Sequence, residues 1–393
     1  MPPECLPARI LPLWWADLIN DARATGYRRS AGRTAGGGIL GLFPAFDAVG
    51  GVQVSGQVAW AKIVEAWGTR SGSLHLFTYA NHHERRIHPA GHQRLGRSGS
   101  HARAALAALR RPWPVRMILV WHLSLMKLLP FFRAPSAKVV VFLHGIEAWR
   151  PQGWLSRALL RRADLFLTNS DHTWQRFVNA NPQYGCASHR TVHLGVLTPI
   201  VGSLPPTRPC PTALMLSRLL SGEDYKGHRE VIDVWPVVMQ RIPDAELWIA
   251  GDGDLRPELE RRVTAHGIER HVRFWGEVSE VKKQELLAGC RCFALPSRAE
   301  GFGLVYLEAM RLGRPSLVST FDAGREVVSP PEGGLFADPD KPDALAEALY
   351  RLLTAGPEWL AWSERARARY EAHFTADCFK ERLMGALGHL LGS

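Results

Sequence analysis

Pro296-Ser-Arg-Ala-Glu300-Gly301-Phe302-Gly303-Leu304-Val-Tyr-Leu-Glu308-Ala-Met310 follows directly on an apolar run at residues 292–295. A short apolar run, a glycine-bearing loop and then a helical pattern make a βα unit. The loop of such a unit lies at the carboxyl edge of a parallel sheet, where open α/β folds bind their ligands. Gly301 and Gly303 carry no Cβ, so backbone amides at the start of the next helix can approach a ligand closely. Those amides and the helix dipole favour a phosphate. Glu308 lies roughly one and a half turns along a helix starting near Phe302, at ~3.6 residues per turn, which points it toward the same cleft as Glu300. A carboxylate accepts two hydroxyl hydrogen bonds at once, so one glutamate suits a sugar and the other a ribose diol. The plain alternative is that both only cap or decorate the helix.

The same rhythm runs through the rest of the chain. Apolar runs at 39–43, 74–79, 116–121, 138–143, 165–169 and 191–194 alternate with helical segments, and the pattern restarts at 213–216, 246–250, 272–275, 292–295 and 316–319. Repeated βα units predict parallel sheets covered on both faces. Between the two series, Pro199, Gly202, Ser203, Pro205, Pro206, Pro209 and Pro211 form a stretch that no regular element tolerates. The reading is therefore α/β: two doubly wound, Rossmann-like domains facing each other across a cleft. Residues 1–36 form a poorly ordered extension, 37–197 the first domain, 198–211 the linker and 212–374 the second domain. A helix at 375–393 lies beyond the last strand, free to cross back to the first domain.

Length and composition agree, since 393 residues exceed what one core serves, and 46% hydrophobic with 22% charged residues excludes a mostly disordered chain. The net charge of +11 is uneven: residues 1–200 hold 24 Lys+Arg against 9 Asp+Glu, and residues 201–393 hold 24 against 28. A basic first half suits an anionic membrane leaflet, a lipid diphosphate or nucleic acid, or simply a solvated surface. The six scattered cysteines form neither a disulfide framework nor a zinc spacing. With no secretory leader pattern, a cytoplasmic location is expected. The longest apolar stretch, 115–132, contains Arg116, His122, Lys127 and Pro130, so it reads as a buried strand and a short helix at 123–129 rather than a membrane span. Lys127 beside Leu128, Leu129, Phe131 and Phe132 is either an amphipathic patch on a bilayer or core packing.

Glu300 and Glu308, with seven residues between them that include Gly-Phe-Gly, resemble the paired-glutamate motif of glycosyltransferase family 4, a retaining family of GT-B fold. Further segments stand in that family's order. Leu216-Ser-Arg218-Leu-Leu-Ser-Gly-Glu-Asp-Tyr-Lys226-Gly-His228 is similar to the segment that supplies an Arg and a Lys to the donor diphosphate. Two cations at a leaving diphosphate also suit the chemistry on its own terms. Leu247-Trp-Ile-Ala-Gly251-Asp-Gly253-Asp resembles the middle strand-turn, although a tight turn alone explains its glycines. Phe274-Trp-Gly276-Glu277-Val resembles the loop beside the nucleotide base, and Phe46-Asp-Ala-Val-Gly50-Gly51-Val-Gln53 the glycine loop over the donor or acceptor. In the first half, His144-Gly145-Ile146-Glu147 and Leu167-Thr-Asn169-Ser170 resemble acceptor-side positions. A histidine at a strand end can hydrogen bond a sugar hydroxyl, stabilise developing charge or simply pack. The resemblance spans residues 212–330, extends more loosely over 136–196 and does not reach the first 36.

The resemblance implies a nucleotide-sugar-dependent hexosyltransferase that works without a cofactor or metal. Catalytic residues would be Glu300, His144, Arg218 and Lys226. Gly51, Arg218, Lys226, Gly301, Phe302, Gly303, Leu304 and Glu308 would hold a GDP- or UDP-sugar. The first domain would meet a saccharide or polyprenyl-diphosphate-linked saccharide, at an anionic membrane surface on the inner face of the cell membrane, in exopolysaccharide or surface-glycan synthesis with mannose or glucose favoured. The runner-up is a sugar-nucleotide epimerase or phosphorylase of the same fold. A non-catalytic basic module is the third reading, and no aromatic-interleaved basic stripe favours nucleic acid.

Overall fold

The computed structural model describes residues 38–44, 50–67, 74–79, 93–95, 113, 115–197 and 202–391. The extension at 1–36, Phe46–Val49 of the glycine loop and the first residues of the proline-rich connection lie outside them. Two wholly parallel sheets are present. The first contains β1 (Gly38–Pro44), β2 (Leu74–Tyr79), β3 (Gln93–Leu95), β4 (Val115–Val120), β5 (Lys138–Leu143), β6 (Leu165–Thr168) and β7 (His189–Thr191), in the order β3-β2-β1-β4-β5-β6-β7. The second contains β8 (Thr212–Leu216), β9 (Glu246–Ala250), β10 (Val272–Gly276), β11 (Cys292–Ala294), β12 (Ser316–Ser319) and β13 (Gly334–Ala337), in the order β10-β9-β8-β11-β12-β13.

The strands are continuously apolar because both faces of each sheet are covered. In β5, Val140 and Phe142 join one core while Val139, Val141 and Leu143 join the core on the opposite face. Met117 and Leu119 are separated in the same way from Ile118 and Val120 in β4. The pattern misses two edge strands, β3 and β13: β3, Gln-Arg-Leu, has no apolar run, and β13, Gly-Leu-Phe-Ala, is apolar but only four residues long. The strand expected at 191–194 is shifted: β7 ends at Thr191, and Val192 to Leu194 continue as buried chain held by Val192 N–H donating to the Thr168 carbonyl at 2.7 Å.

The segment after β4 forms a 3-10 helix, Leu123–Phe131. Leu125, Met126, Leu128, Leu129 and Phe132 are all buried in the first-sheet core. Of the two readings of Leu128 to Phe132, core packing holds and the bilayer patch is corrected: Leu128, Leu129 and Phe132 are buried and Phe131 is half-buried, while Lys127 and Pro130 stay exposed. Among the described residues, no helix is long and apolar enough to cross a membrane.

After the helix Pro357–His373 the chain returns to the first half. Val196 N–H donates to the Phe374 carbonyl at 3.3 Å, and a Cβ on Gly195 would meet the Thr375 carbonyl oxygen at 2.5 Å. The helix Ala376–Leu391 then lies against the helix Gly51–Trp67, with Lys62 Nζ 2.7 Å from Asp377 Oδ1 and Lys380 paired to Glu65.

The glycines after β9 have a packing reason. Gly251 and Gly253 have φ of +130° and +153°, and a Cβ on them would fall 1.8 Å from the Ser217 and 2.2 Å from the Leu219 carbonyl oxygen. The turn thus presses backbone to backbone on the loop that carries Arg218, with Leu219 N–H donating to the Asp252 carbonyl at 3.0 Å. Gly251→Ala forces that loop to move as well as straining the backbone, at a cost of about 3 kcal/mol. Thermal unfolding is expected to show a Tm lowered by roughly 5–10 °C; an unchanged Tm would mean that the two turns are not coupled.

Candidate active site

Two elements at the carboxyl edge of the second sheet build the site. After β8, a 3-10 turn Ser221–Lys226 leads into Gly227 and the helix His228–Arg241. After β11, the loop holding Glu300 leads into the helix Leu304–Arg311. Arg298 N–H donates to the Tyr225 carbonyl at 2.8 Å and joins the two loops. Gly227 takes φ +85°, where a Cβ would meet the Pro296 carbonyl oxygen at 2.7 Å, so only glycine lets the loops approach this closely. Lys226 is thereby delivered to Glu300, with Nζ 2.8 Å from Oε2 and both side chains largely buried. Burial works against the Lys226 ammonium, but the Glu300 carboxylate more than offsets it, and the pKa stands above the ordinary lysine value.

Glu308 sits on the second turn of its helix, paired with Lys283 Nζ at 2.7 Å and likewise shielded. Lys283, which sequence reasoning missed, comes from the helix Glu280–Gly289 following β10. Ser279 caps that helix by accepting the Lys282 amide at 3.2 Å, and this cap sets the helix phase so that Lys283 reaches Glu308 while Lys282 pairs with Glu285. Burial opposes the Lys283 ammonium, and the Glu308 carboxylate again holds its pKa above the usual value. Which of the two adjacent lysines faces the cleft is decided by this helix phase and not by the local sequence.

Arg218 has swung outward. Its side chain is 72% exposed and ion-paired with Glu223. It still belongs to the cluster, because the Tyr225 hydroxyl feels Lys226, Glu223, Glu300 and Arg218 together, with burial as the largest influence raising its pKa. Gly303 has φ +85° and lies against the Tyr306 ring, where a Cβ would come within 2.4 Å. The first helix amides that follow, at Leu304 and Val305, have no intrahelical acceptors by helix geometry, while the Tyr306 amide donates to the Gly303 carbonyl at 3.0 Å. Gly51 faces them across the cleft, since a Cβ there would lie 3.9 Å from Leu304 Cδ1. The Phe302 ring is turned inward: at 2% exposure it packs against Phe374 and His193, so the side chain anchors the loop and the residue would meet a donor through its backbone.

His144, at the end of β5, touches this loop from the other sheet. A Cβ on Gly301 would meet the His144 carbonyl oxygen at 2.3 Å. Asn169 Nδ2 donates to that same carbonyl at 2.7 Å, and Ser170 Oγ donates to the Gly301 carbonyl at 2.9 Å. The His144 ring is buried, and its Nε2 lies 2.6 Å from the Trp121 carbonyl oxygen. A carbonyl only accepts, so Nε2 carries the proton and Nδ1 the lone pair. Burial pushes the His144 pKa down to about 4, which favours the neutral ring and, of the readings open for it, a hydrogen bond over a cationic role.

Two acidic residues of the 322–326 segment were not foreseen. Asp322 is buried, its Oδ2 accepting the Glu300 amide at 3.1 Å and its Oδ1 the Gly324 amide at 2.9 Å. Burial, with the Glu300 charge second, pushes its pKa up to about 7. Glu326 reaches across the cleft and accepts the amides of His172 at 2.6 Å and Asp171 at 2.8 Å, at the start of the helix Asp171–Ala180. Among the described residues, no group of three His, Cys, Asp or Glu side chains could hold a metal ion.

Two facing doubly wound sheets, with lysine–glutamate pairs and a helix start at the cleft, define the architecture of the GT-B glycosyltransferases. The chain resembles solved structures of that architecture over nearly its full length. Anabaena Alr3699/HepE, in complex with UDP and glucose, aligns with a TM-score of 0.67 at 19% identity over 89% of this chain and 99% of that one. Sucrose-phosphate synthase from Thermosynechococcus elongatus aligns with a TM-score of 0.71 at 19% identity, over 91% and 99%. The sequence profile described as "Glycosyl transferases group 1" matches residues 210–355. A Corynebacterium glutamicum protein, GDP-mannose-dependent monoacylated alpha-(1-6)-phosphatidylinositol monomannoside mannosyltransferase, is 30% identical over 280 residues, 65% of this chain and 71% of that one. Phosphatidyl-myo-inositol mannosyltransferase of Mycobacterium leprae is 36% identical over 143 residues, 36% and 37% of the two chains. The chain belongs to the group 1 glycosyl transferases, and it is a glycosyltransferase.

The raised pKa of Asp322 has a consequence for stability. The folded state binds a proton that the unfolded chain releases near ~3.9, so this contribution is fully present below about pH 4 and lost as the pH rises through about 7. Asn cannot titrate. The difference in unfolding free energy between parent and Asp322→Asn is expected to fall by up to about 4 kcal/mol from pH 4 to pH 7, read by urea titration at each pH. A flat difference would show that the carboxyl is ionised throughout.

Proposed function

We propose that this glycosyltransferase moves a hexose, with retention, from a nucleotide-diphosphate sugar to an anionic, lipid-linked saccharide in surface-glycan synthesis. Mannose from GDP-mannose is favoured, on the name of the Corynebacterium glutamicum relative. The observation that carries the reading is the double pairing of Lys226 with Glu300 and Lys283 with Glu308 on either side of the helix start at Leu304.

In the proposed reaction the donor diphosphate lies on the free amides at Gly303 and Leu304, and Lys226 turns from Glu300 to the phosphate oxygens. Arg218, released from Glu223, joins it. Both cations stabilise the negative charge that grows on the diphosphate as its bond to the anomeric carbon breaks. Glu300, freed of its partner, orients the sugar hydroxyls, and Glu308 accepts hydrogen bonds from the ribose diol while Lys283 stays beside it. Neutral His144 accepts a hydroxyl hydrogen bond at Nδ1. The acceptor hydroxyl enters on the face the diphosphate leaves, forms the new bond to the anomeric carbon and gives its proton to a departing phosphate oxygen. No protein nucleophile is needed, and side-chain cations do the work a metal would otherwise do. Two lipid sources fit an anionic acceptor, a phospholipid glycoside and a polyprenyl-diphosphate saccharide, at the cytoplasmic face of the membrane.

Glu308→Gln removes a charged hydrogen bond of roughly 1.5–3 kcal/mol and is expected to weaken donor binding about tenfold to a hundredfold in calorimetry, with turnover little changed. Lys226→Ala is expected to reduce kcat by about two orders of magnitude, and Glu300→Ala to lower kcat more than it weakens donor binding. Parent-like rates in both variants would dismiss this site. In a thermal-shift comparison GDP is expected to stabilise the protein more than UDP or ADP, and the converse order would reassign the base. Labelled donor without acceptor should yield no epimerised nucleotide sugar, and each lipid-linked acceptor offered separately identifies the lipid.

A further inference from the structure

The first half of the chain carries a second feature that the transfer reaction does not use. Between the 3-10 helix after β4 and the segment after β5 lies a cleft of ≈ 300 Å³, lined among others by Ser124, Lys127, Glu147, Arg150, Gln152 and Ser156. It opens at the carboxyl edge of the first sheet, and Glu147 ties it to the active site by accepting the amides of His144 at 2.6 Å and Gly145 at 3.2 Å. Beside it stands the helix Trp154–Leu160. Leu159 and Leu160 are its buried face, whereas Trp154 is 77% exposed and Leu155 45% exposed, with Ile146 nearby in sequence at 38%. Trp154 also has no hydrogen-bond acceptor for its indole among the described residues. Lys127, Arg150, Arg157, Arg161 and Arg162 are all exposed, and none is ion-paired among the described residues. Trp154, Arg157 and Arg161 recur at helical spacing, so the apolar ring and two guanidinium groups share one side of the helix.

We propose that this face, Trp154 and Leu155 with Arg150, Arg157, Arg161, Arg162 and Lys127, docks the enzyme on an anionic bilayer surface. An indole and a leucine side chain partition into the headgroup boundary, and arginine guanidinium groups reach lipid phosphates from the same depth. Five exposed cations, not ion-paired among the described residues, stand at the cleft and along the helix that holds out this apolar tip, and they complement anionic headgroups. Nucleic acid fits less well, since a single ring offers no series of stacking platforms. With the tip in the interface, the cleft at Arg150 and Lys127 faces the lipid phosphates and leads past Glu147 to His144. Only this last orientation rests on the proposed acceptor; the docking face itself does not.

Flotation with vesicles of phosphatidylglycerol and phosphatidylethanolamine, against vesicles of phosphatidylcholine alone, tests the proposal. The parent is expected to rise with the anionic vesicles at low salt and to remain below with the neutral ones. Trp154→Ala with Leu155→Ala is expected to lower the bound fraction severalfold, and Arg157→Gln with Arg161→Gln to weaken partition roughly fivefold for each arginine. Leu360→Ala, an equally open apolar position of the second half, should float like the parent. A parent that stays at the bottom, that binds neutral vesicles equally well, or that floats undiminished without Trp154 and Leu155 overturns the docking face. Nucleotide-induced thermal shift of each variant reports folding and donor binding separately. A protein that floats as expected but is stabilised by no nucleotide would retain this face while losing the proposed donor.

Discussion

Everything at the cleft depends on how closely the Gly301 peptide is held to the first sheet. The His144 carbonyl oxygen occupies the place a Cβ would take, 2.3 Å away, and the Ser170 hydroxyl donates to the Gly301 carbonyl from the same side. No other residue type fits without moving one sheet against the other. This backbone contact puts the end of β5 and the start of the Leu304 helix in a single site, although the two lie more than 150 residues apart in sequence. Glu326, clamped on the amides of Asp171 and His172, fixes the same approach from a second point.

The site holds its charges in compensated form. A buried lysine alone would lose its proton or destabilise the fold, and a buried glutamate alone would take one up. Pairing Lys226 with Glu300 and Lys283 with Glu308 keeps both ammonium groups charged while the cleft is shielded from water. In the proposed reaction an entering diphosphate replaces one anion with another, so Lys226 exchanges partners without being left unpaired, while Lys283 stays beside Glu308. Asp322 complicates this balance, since a second ionised carboxylate next to Glu300 would compete for Lys226. Its burial raises its pKa to about 7, so part of the population is protonated near neutral pH, while it positions the Glu300 backbone.

The uneven charge of the chain also acquires a location. Part of the excess of Lys and Arg in residues 1–200 has a place among the described residues: Lys127 and Arg150 line one cleft, and Arg157, Arg161 and Arg162 stand on or at the end of the helix that holds out Trp154. The apolar run of 123–132 looked more suited to a membrane by composition, yet its side chains alternate into the core. The tip that faces outward comes from a shorter and less apolar helix.

Much of this was legible in the sequence, because local chemistry carries it. The βα rhythm, the glycine positions flanking Glu300 and the glutamate spacing follow from periodicity and from the steric freedom of glycine, which act within a few residues. The edge strands β3 and β13 were not, since the first has no apolar run and the second is too short to stand out from the turns around it. Nor were Lys283, Asp322 and Glu326, whose meaning comes from what lies opposite them: the phase of a capped helix, the depth of a loop, the start of a helix in the other half. Whether an apolar side chain turns inward or outward was likewise decided by tertiary packing. Phe302 and Leu128 went into cores, Trp154 did not, and burial depends on which surfaces meet rather than on the residue alone.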